Sequence, residues 1–151
     1  MPDSHPILTA RDVMTHTLVT LEPHTSIFAA ITKLVSKKIS GAPVLDEEGQ
    51  MVGMLSELDC LGVLASDQFY NEDHIAMVSD YMTTEFETVE PDTDIYRLAM
   101  YFRDKPVRRF PVIEGGVLLG QVSRRDVLRG IEEMRKKRSR KKHYPDYREP
   151  A

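Results

Sequence analysis

Four segments of this sequence recur in the same order at an almost constant spacing. Asp12-Val13-Met14-Thr15 returns as Asp80-Tyr81-Met82-Thr83, and Thr20-Leu21-Glu22-Pro23-His24-Thr25-Ser26-Ile27 returns as Thr88-Val89-Glu90-Pro91-Asp92-Thr93-Asp94-Ile95. Ala42-Pro43-Val44-Leu45 is matched by Phe110-Pro111-Val112-Ile113. Gly53-Met54-Leu55-Ser56-Glu57-Leu58-Asp59 is matched by Gly120-Gln121-Val122-Ser123-Arg124-Arg125-Asp126. The offset is 68 residues up to the turn that holds Gly49 and Gly116 and 67 beyond it, so the second copy is one turn residue shorter. Turns tolerate such deletions. A motif of about 60 residues buries only a marginal core, so the two copies are expected to share one.

Each copy reads as strand, helix, strand, strand, helix, which places the chain in the α/β class. In the first copy Leu18-Val19-Thr20 is extended and Pro23 follows it. Thr25 is expected to cap a helix that carries Ala29, Ala30, Ile31, Leu34 and Val35 at helical spacing and ends near Lys37-Lys38. Pro43–Leu45 and Met51–Leu55 read as strands around the turn 46–50. A closing helix starts at Ser56 and carries Leu58, Leu61 and Leu64. In the second copy Thr93 is the expected cap of a helix through Tyr96, Leu98, Ala99 and Phe102. Strands follow at Phe110–Ile113 and Val117–Val122, and a last helix runs from Ser123 towards Met134. The boundaries are then 7–66 for the first repeat, 67–78 for a connector, 79–134 for the second repeat and 135–151 for a basic tail read as solvated and without fixed structure.

Composition excludes several classes of function. Cys60 is the only cysteine of the 151 residues, so neither an internal disulfide nor a multi-cysteine metal site is available. This suits a reducing cytoplasmic setting. The five histidines, His5, His16, His24, His74 and His143, are scattered, with none at metal-ligand spacing from a partner. There is no glycine-rich phosphate loop and no nucleophile signature, so no catalytic residue is assigned and no enzyme is expected. No apolar run is long enough to span a membrane, and the first six residues do not resemble a secretory signal. Charge is uneven. Residues 1–134 hold 12 Lys/Arg against 22 Asp/Glu, a net of −10, whereas residues 135–151 hold 8 against 2, a net of +6. Contact with a polyanion would therefore begin at the tail.

The duplicated Gly-x-hydrophobic-Ser-x-x-Asp motif admits two readings. Ser56 with Asp59, and Ser123 with Asp126, form helix-capping patterns that satisfy backbone N–H groups. The same geometry offers N–H groups, a hydroxyl and the positive end of a helix dipole to a phosphate, and a carboxylate to a ribose diol. Arg108-Arg109, just before a buried strand, read either as an exposed loop or as a phosphate clamp through the guanidinium fork. The matching place in the first copy is Ser40-Gly41, where the missing side chain would let a flat base approach the backbone.

Taken together, Asp-x-Met-Thr, Glu-Pro-x-Thr-x-Ile, the Pro-Val strand and Gly-x-hydrophobic-Ser-x-x-Asp, each present twice from about Thr9 to Met134, resemble the cystathionine-β-synthase (CBS) repeat, and the pair resembles a Bateman module. The resemblance implies a pseudo-twofold pair with two clefts between the repeats, which in some members bind AMP, ADP, ATP or S-adenosylmethionine. Carried onto this chain, it places a base against Val19 and Ile39-Ser40-Gly41-Ala42 in the first cleft. Arg109 would meet phosphate, Ser123 phosphate or ribose, and Asp126 the ribose diol. The second cleft would use Ser56, Asp59 and Arg108, with base contacts from the backbone of Phe86-Glu87-Thr88. It is the poorer of the two, because Glu87 stands where the first copy has Val19, and Val107–Phe110 replace the small residues of 39–42.

The function expected from this reading is ligand sensing. An adenosine nucleotide, held as a regulatory ligand and not as a required cofactor, would bias the conformation or assembly of an effector protein or of an oligomer. A homodimer is expected from apolar helix faces, with Val63, Leu64, Val127, Leu128 and Ile131 as candidate contacts. The alternative is a nucleic-acid-associated protein that uses the seven basic residues of Arg135–Lys142 on the same scaffold.

Overall fold

The computed structural model describes residues 7–16, 18–66 and 76–141. Its elements run α1 (Ala10–Val13), α2 (Ile27–Lys37), β1 (Gly41–Leu45), β2 (Met51–Ser56), α3 (Glu57–Leu64), α4 (Val78–Tyr81), α5 (Ile95–Asp104), β3 (Arg109–Glu114), β4 (Val117–Ser123) and α6 (Arg124–Lys141). The chain is α/β: two antiparallel hairpins, β1–β2 and β3–β4, each backed by a pair of helices. The extended segment before α2 adds a parallel edge to the first hairpin only at Leu21, whose N–H donates to Pro43 O at 2.9 Å while its carbonyl accepts from Leu45 N at 2.9 Å. Val89 does the same on Pro111 and Ile113 in the second copy, at 2.9 and 3.0 Å.

The copies do not share a single core. Two clusters form, and each is completed by a segment from the other half of the sequence. Ala10 and Met14 are buried with Val89, Ile95, Leu98, Phe102, Phe110, Val112, Val122 and Val127. Ala76 and Val78 are buried with the residues of the first repeat, from Leu21 to Val63. The backbone records the same exchange. Thr15 and Gln121 trade two hydrogen bonds at 2.8 and 3.1 Å, and Thr83 and Met54 trade two at 2.8 and 2.9 Å. This crossing explains the repeated glycine. A Cβ at Gly120 would lie 2.7 Å from Thr15 O, and one at Gly53 would lie 2.5 Å from Met82 Sδ. The repeated Asp of Asp-x-Met-Thr also has a local role, since Asp12 accepts from Thr9 N at 2.8 Å and Asp80 from Met77 N at 3.0 Å. Both bonds close the start of a single-turn helix.

The exchange also moves the expected helix caps by one residue. Ser26 caps α2 by accepting from Phe28 N at 3.1 Å, and Asp94 caps α5 by accepting from Arg97 N at 2.9 Å. Thr25 and Thr93 instead give their carbonyls to Val78 N at 2.9 Å and Ala10 N at 2.8 Å, in the exchanged segments. Lys38 ends α2 in the left-handed region at φ 56°.

Two outer surfaces differ from the sequence reading. Leu58, Leu61 and Leu64 lie on the exposed side of α3, Leu58 at 77% exposure, while Cys60 and Val63 face the core. Val63 and Val127 are buried, so neither can serve a surface contact, whereas Leu64 and Leu128 are exposed. The second difference is the tail. Residues 135–141 continue α6 as helix. Lys and Arg are good helix formers, and Glu132 and Glu133 pair with Arg135, Lys136 and Lys137 one turn on, at 3.4–3.6 Å. These pairs offset part of the basic charge. Residues 142–151, and 67–75 of the expected connector, lie outside the described residues, and Val78 already belongs to α4. No described helix is long and apolar enough to cross a membrane.

Candidate nucleotide cleft between the repeats

The exchange brings the two halves of one cleft together. In β3–β4, Arg109 stands directly across from Ser123, so both side chains project from the same sheet face. Phe110, next along the strand, faces the core. Asp126 follows one turn into α6. From the first repeat come Val19, from the segment before Leu21, and Ile39 and Gly41, from the entrance to β1. These six residues line a cavity of about 280 Å³, at the low end for small-molecule sites.

Two of the expected base contacts are elsewhere. Ala42 is fully buried and faces the first core, because side chains alternate along β1. Ser40 opens instead onto the outer groove between α2 and α3, with its carbonyl accepting from Glu57 N at 2.9 Å. Three lining residues escaped the sequence reading: Thr15, Leu18 and Gln121. Thr15 and Gln121 meet only through the exchanged segment. The duplicated Met-Thr was the one signal in the sequence that could have flagged Thr15.

The capping reading of the Ser/Asp motif is what the backbone shows. Ser123 N donates to Asp126 Oδ2 at 2.8 Å and Asp126 N donates to Ser123 Oγ at 3.1 Å, which is a capping box at the start of α6. Asp126 is 4% exposed, and its Oδ1 accepts from Arg129 Nη2. A carboxylate has about four acceptor sites, and these two bonds use half of them. Arg109 is exposed and makes no ion pair with the described residues, unlike Arg11 with Glu114 or Arg129 with Asp126. The cleft thus has a cationic, donor-rich rim at the N-terminus of α6 and an apolar wall at Val19, Leu18 and Ile39.

The other half of the pseudo-twofold pair is built differently. Ser56 and Asp59 form the equivalent box, at 2.9 and 3.2 Å, but Thr83 Oγ1 also donates to Asp59 Oδ1 at 3.4 Å. Glu87 pairs with Lys105 at 2.8 Å, and the two line a separate surface cavity of about 420 Å³. Arg108 is exposed, and its carbonyl accepts from Arg124 N at 3.3 Å. The principal cavities gather none of Ser56, Asp59 and Arg108.

The α2–α3 groove is roomier, about 550 Å³, and its walls are chiefly apolar, with Ile31, Leu34, Val35, Leu61 and Leu64. Its polar lining is Lys38, Ser40 and Glu57. Cys60 lies beside it. Burial first, and then the charges of Asp59 and Glu57, push its thiol pKa up, which keeps it protonated and poorly nucleophilic. No group of described residues is arranged to hold a metal ion.

Two hairpins joined through exchanged segments, with a cleft between them, define a tandem-repeat module. The chain belongs to the CBS domain family, whose model matches residues 10–66 and 78–133. It is 29% identical over 126 residues to an A-adding tRNA nucleotidyltransferase of Aquifex aeolicus, covering 83% of this chain and 15% of that protein. The corresponding Geobacter sulfurreducens protein is 32% identical, and the chain spans 14% of its length. Among solved structures, the CBS-pair protein CBSX2 of Arabidopsis thaliana in complex with AMP superposes with a TM-score of 0.73 at 29% identity, over 85% of this chain and 98% of that one. A putative acetoin utilization protein of Vibrio cholerae shares the fold, with a TM-score of 0.75 at 20% identity over 96% of this chain and its whole length.

Proposed function

We propose that this chain is a regulatory module that binds an adenosine nucleotide in the cleft between Val19 and Asp126 and passes its occupancy to a second copy or an effector protein. The observation that carries the reading is the cross-strand pair of Arg109 and Ser123 beside Asp126, facing an apolar wall contributed by the other repeat. That arrangement suits a phosphate, a ribose diol and a base in turn. The complex of CBSX2 with AMP lends support, because it pairs the same fold with the same class of ligand. The relatives that are enzymes match this chain over only a small share of their length, so their activities are not assigned to it.

The test is a melting curve with AMP and with adenosine. At a hundredfold excess over its dissociation constant, AMP is expected to stabilise the fold by about 2.7 kcal/mol, a rise of roughly 5–10 °C. Arg109→Ala is expected to weaken AMP by roughly tenfold or more and adenosine little, since a charge-assisted hydrogen bond contributes about 1.5–3 kcal/mol and only AMP carries the phosphate. If no adenosine nucleotide shifts the curve, the reading is wrong. If Arg109→Ala weakens both ligands alike, the phosphate is placed wrongly.

The second copy is proposed from the outer helix faces. Val35, Leu58, Leu61 and Leu64 are exposed on α2–α3, and Tyr96, Met100 and Leu128 on α5–α6. One apolar patch per repeat, related by the pseudo-twofold, is matched by a second copy offering the same two patches. Light scattering is expected to give twice the chain mass, and Leu61→Asp with Leu128→Asp to give the monomer mass. A wild-type chain that stays monomeric at several hundred micromolar, well above a dissociation constant of roughly tens of micromolar, rules the dimer out.

A further inference from the structure

The cleft contains an amide side chain that the capping box does not use. Gln121 is 9% exposed and lines the cavity. Its backbone is committed to Thr15, through N–H to Thr15 O at 3.1 Å and carbonyl from Thr15 N at 2.8 Å. Its carboxamide makes no hydrogen bond to any described residue, and no fully enclosed side-chain nitrogen or oxygen among the described residues lacks a partner, so the amide atoms are accessible on a residue that lines the cavity. The residue directly across the hairpin is Pro111, which can donate nothing to it. With no protein partner, the carboxamide can bond whatever fills the cleft, water or a ligand. The fold itself does not ask for an amide. At the same register in the first copy stands Met54, with the same two-bond backbone exchange, to Thr83 at 2.8 and 2.9 Å.

We infer that Gln121 is a specificity-determining residue that reads the hydrogen-bonding edge of a 6-aminopurine base, an inference that rests on the nucleotide reading of this cleft. Two residues along β4 from Ser123 and on the same face, it sits roughly 7 Å from the ribose and phosphate end, about the reach from a ribose to the far edge of its base. A carboxamide presents a donor and an acceptor side by side. Adenine presents the complement, its exocyclic amine beside a ring nitrogen, and glutamine makes this paired contact with adenine elsewhere in recognition chemistry. Leu18, Val19 and Ile39 supply the apolar wall that excludes water from the pair.

The test compares AMP with purine riboside 5′-monophosphate, which differs only in lacking the exocyclic amine, on the full chain and on Gln121→Met. Methionine is close in size and already occupies the equivalent site in the first copy, so the variant is expected to fold. The wild type is expected to prefer AMP by about tenfold, the ratio that one good hydrogen bond supplies. In Gln121→Met the two ligands are expected to bind within about twofold of each other, with AMP weakened and purine riboside 5′-monophosphate little changed. Because the readout is a ratio within one protein, a general loss of stability does not mimic it. A variant that binds AMP with its preference intact, or a wild type without preference, overturns the role of Gln121 and leaves the nucleotide reading standing. A wild type that binds neither ligand overturns both.

Discussion

Replacing Phe110 by alanine is expected to cost the fold about 3–5 kcal/mol, the range for emptying a buried aromatic site. Phe110 is 1% exposed and lies with Phe102 at a ring separation of 4.7 Å and with Tyr101, edge-on, at 6.3 Å. Val122 stands opposite it, and Leu98, Val112, Ala10 and Met14, the last two from the exchanged N-terminal segment, belong to the same core cluster. A cavity there is walled by elements from both ends of the sequence, so it cannot collapse without moving α1 or β3. The loss is a large part of the stability of a typical domain, about 5–15 kcal/mol, and a melting temperature about 10–20 °C lower is expected. Phe102→Ala on the Phe110→Ala background is expected to cost less than it does alone, with a coupling of about 0.5–1.5 kcal/mol for the tilted ring pair. A Phe110→Ala protein within 1 kcal/mol of wild type, a threshold well below the cavity range, would show that the second core is not organised around this ring. Since Arg109 precedes Phe110 on β3, the same variant is also expected to loosen the phosphate end of the cleft.

Asp126→Ala carries two separable effects. It removes the acceptor of Ser123 N at 2.8 Å and of Arg129, the carboxylate half of the capping box at the start of an 18-residue helix, while Ser123 Oγ still accepts from the backbone N–H of residue 126. Capping groups contribute about 0.5–2 kcal/mol, and charge-assisted bonds somewhat more, so a loss of about 2 kcal/mol is expected without ligand. Asp59→Ala is expected to cost about half as much, because the equivalent box caps an eight-residue helix and its carboxylate is only partly buried. The second effect is on binding. Measured from each variant's own baseline, the AMP-induced rise in melting temperature is expected to vanish in Asp126→Ala and to persist in Asp59→Ala. The opposite result would move the nucleotide to the other half of the pair. Loss of the rise in both variants would mean that both carboxylates meet ligand.

The legibility of this protein follows from which interactions are local. The repeat is written in the chain at an offset of 68 and 67 residues, and with it came the α/β class, the hairpins and the two helices of each copy. The Ser-x-x-Asp boxes were legible because a cap joins residues three apart, and the pairing of Arg109 with Ser123 was half legible, since each flanks a recognisable strand. Alternation along β1 should have placed Ala42 in the core beside Val44, yet its small size made it look like a base contact. Size is a local property, whereas the face a residue occupies depends on the register with β2, where Ala42 stands opposite Leu55.

What the tertiary structure alone decided lies between residues far apart in sequence. Helical spacing shows that Leu58, Leu61 and Leu64 share a side of α3. Only packing shows that Cys60 and Val63 take the core and leave those leucines outside. A run of lysines and arginines reads as a solvated tail until Glu132 and Glu133 are seen one turn away on a continuing helix. The exchange of Met14-Thr15 and Met82-Thr83 between the halves left only its trace, a repeated glycine whose purpose is room for a crossing backbone. From that crossing come the two cores, the displaced caps and the position of Gln121. The sequence by itself determined which units form, because each is held by bonds within a few residues. Which residues face one another across the cleft was decided by backbone pairing between Thr15 and Gln121, more than 100 residues apart, which no periodicity encodes.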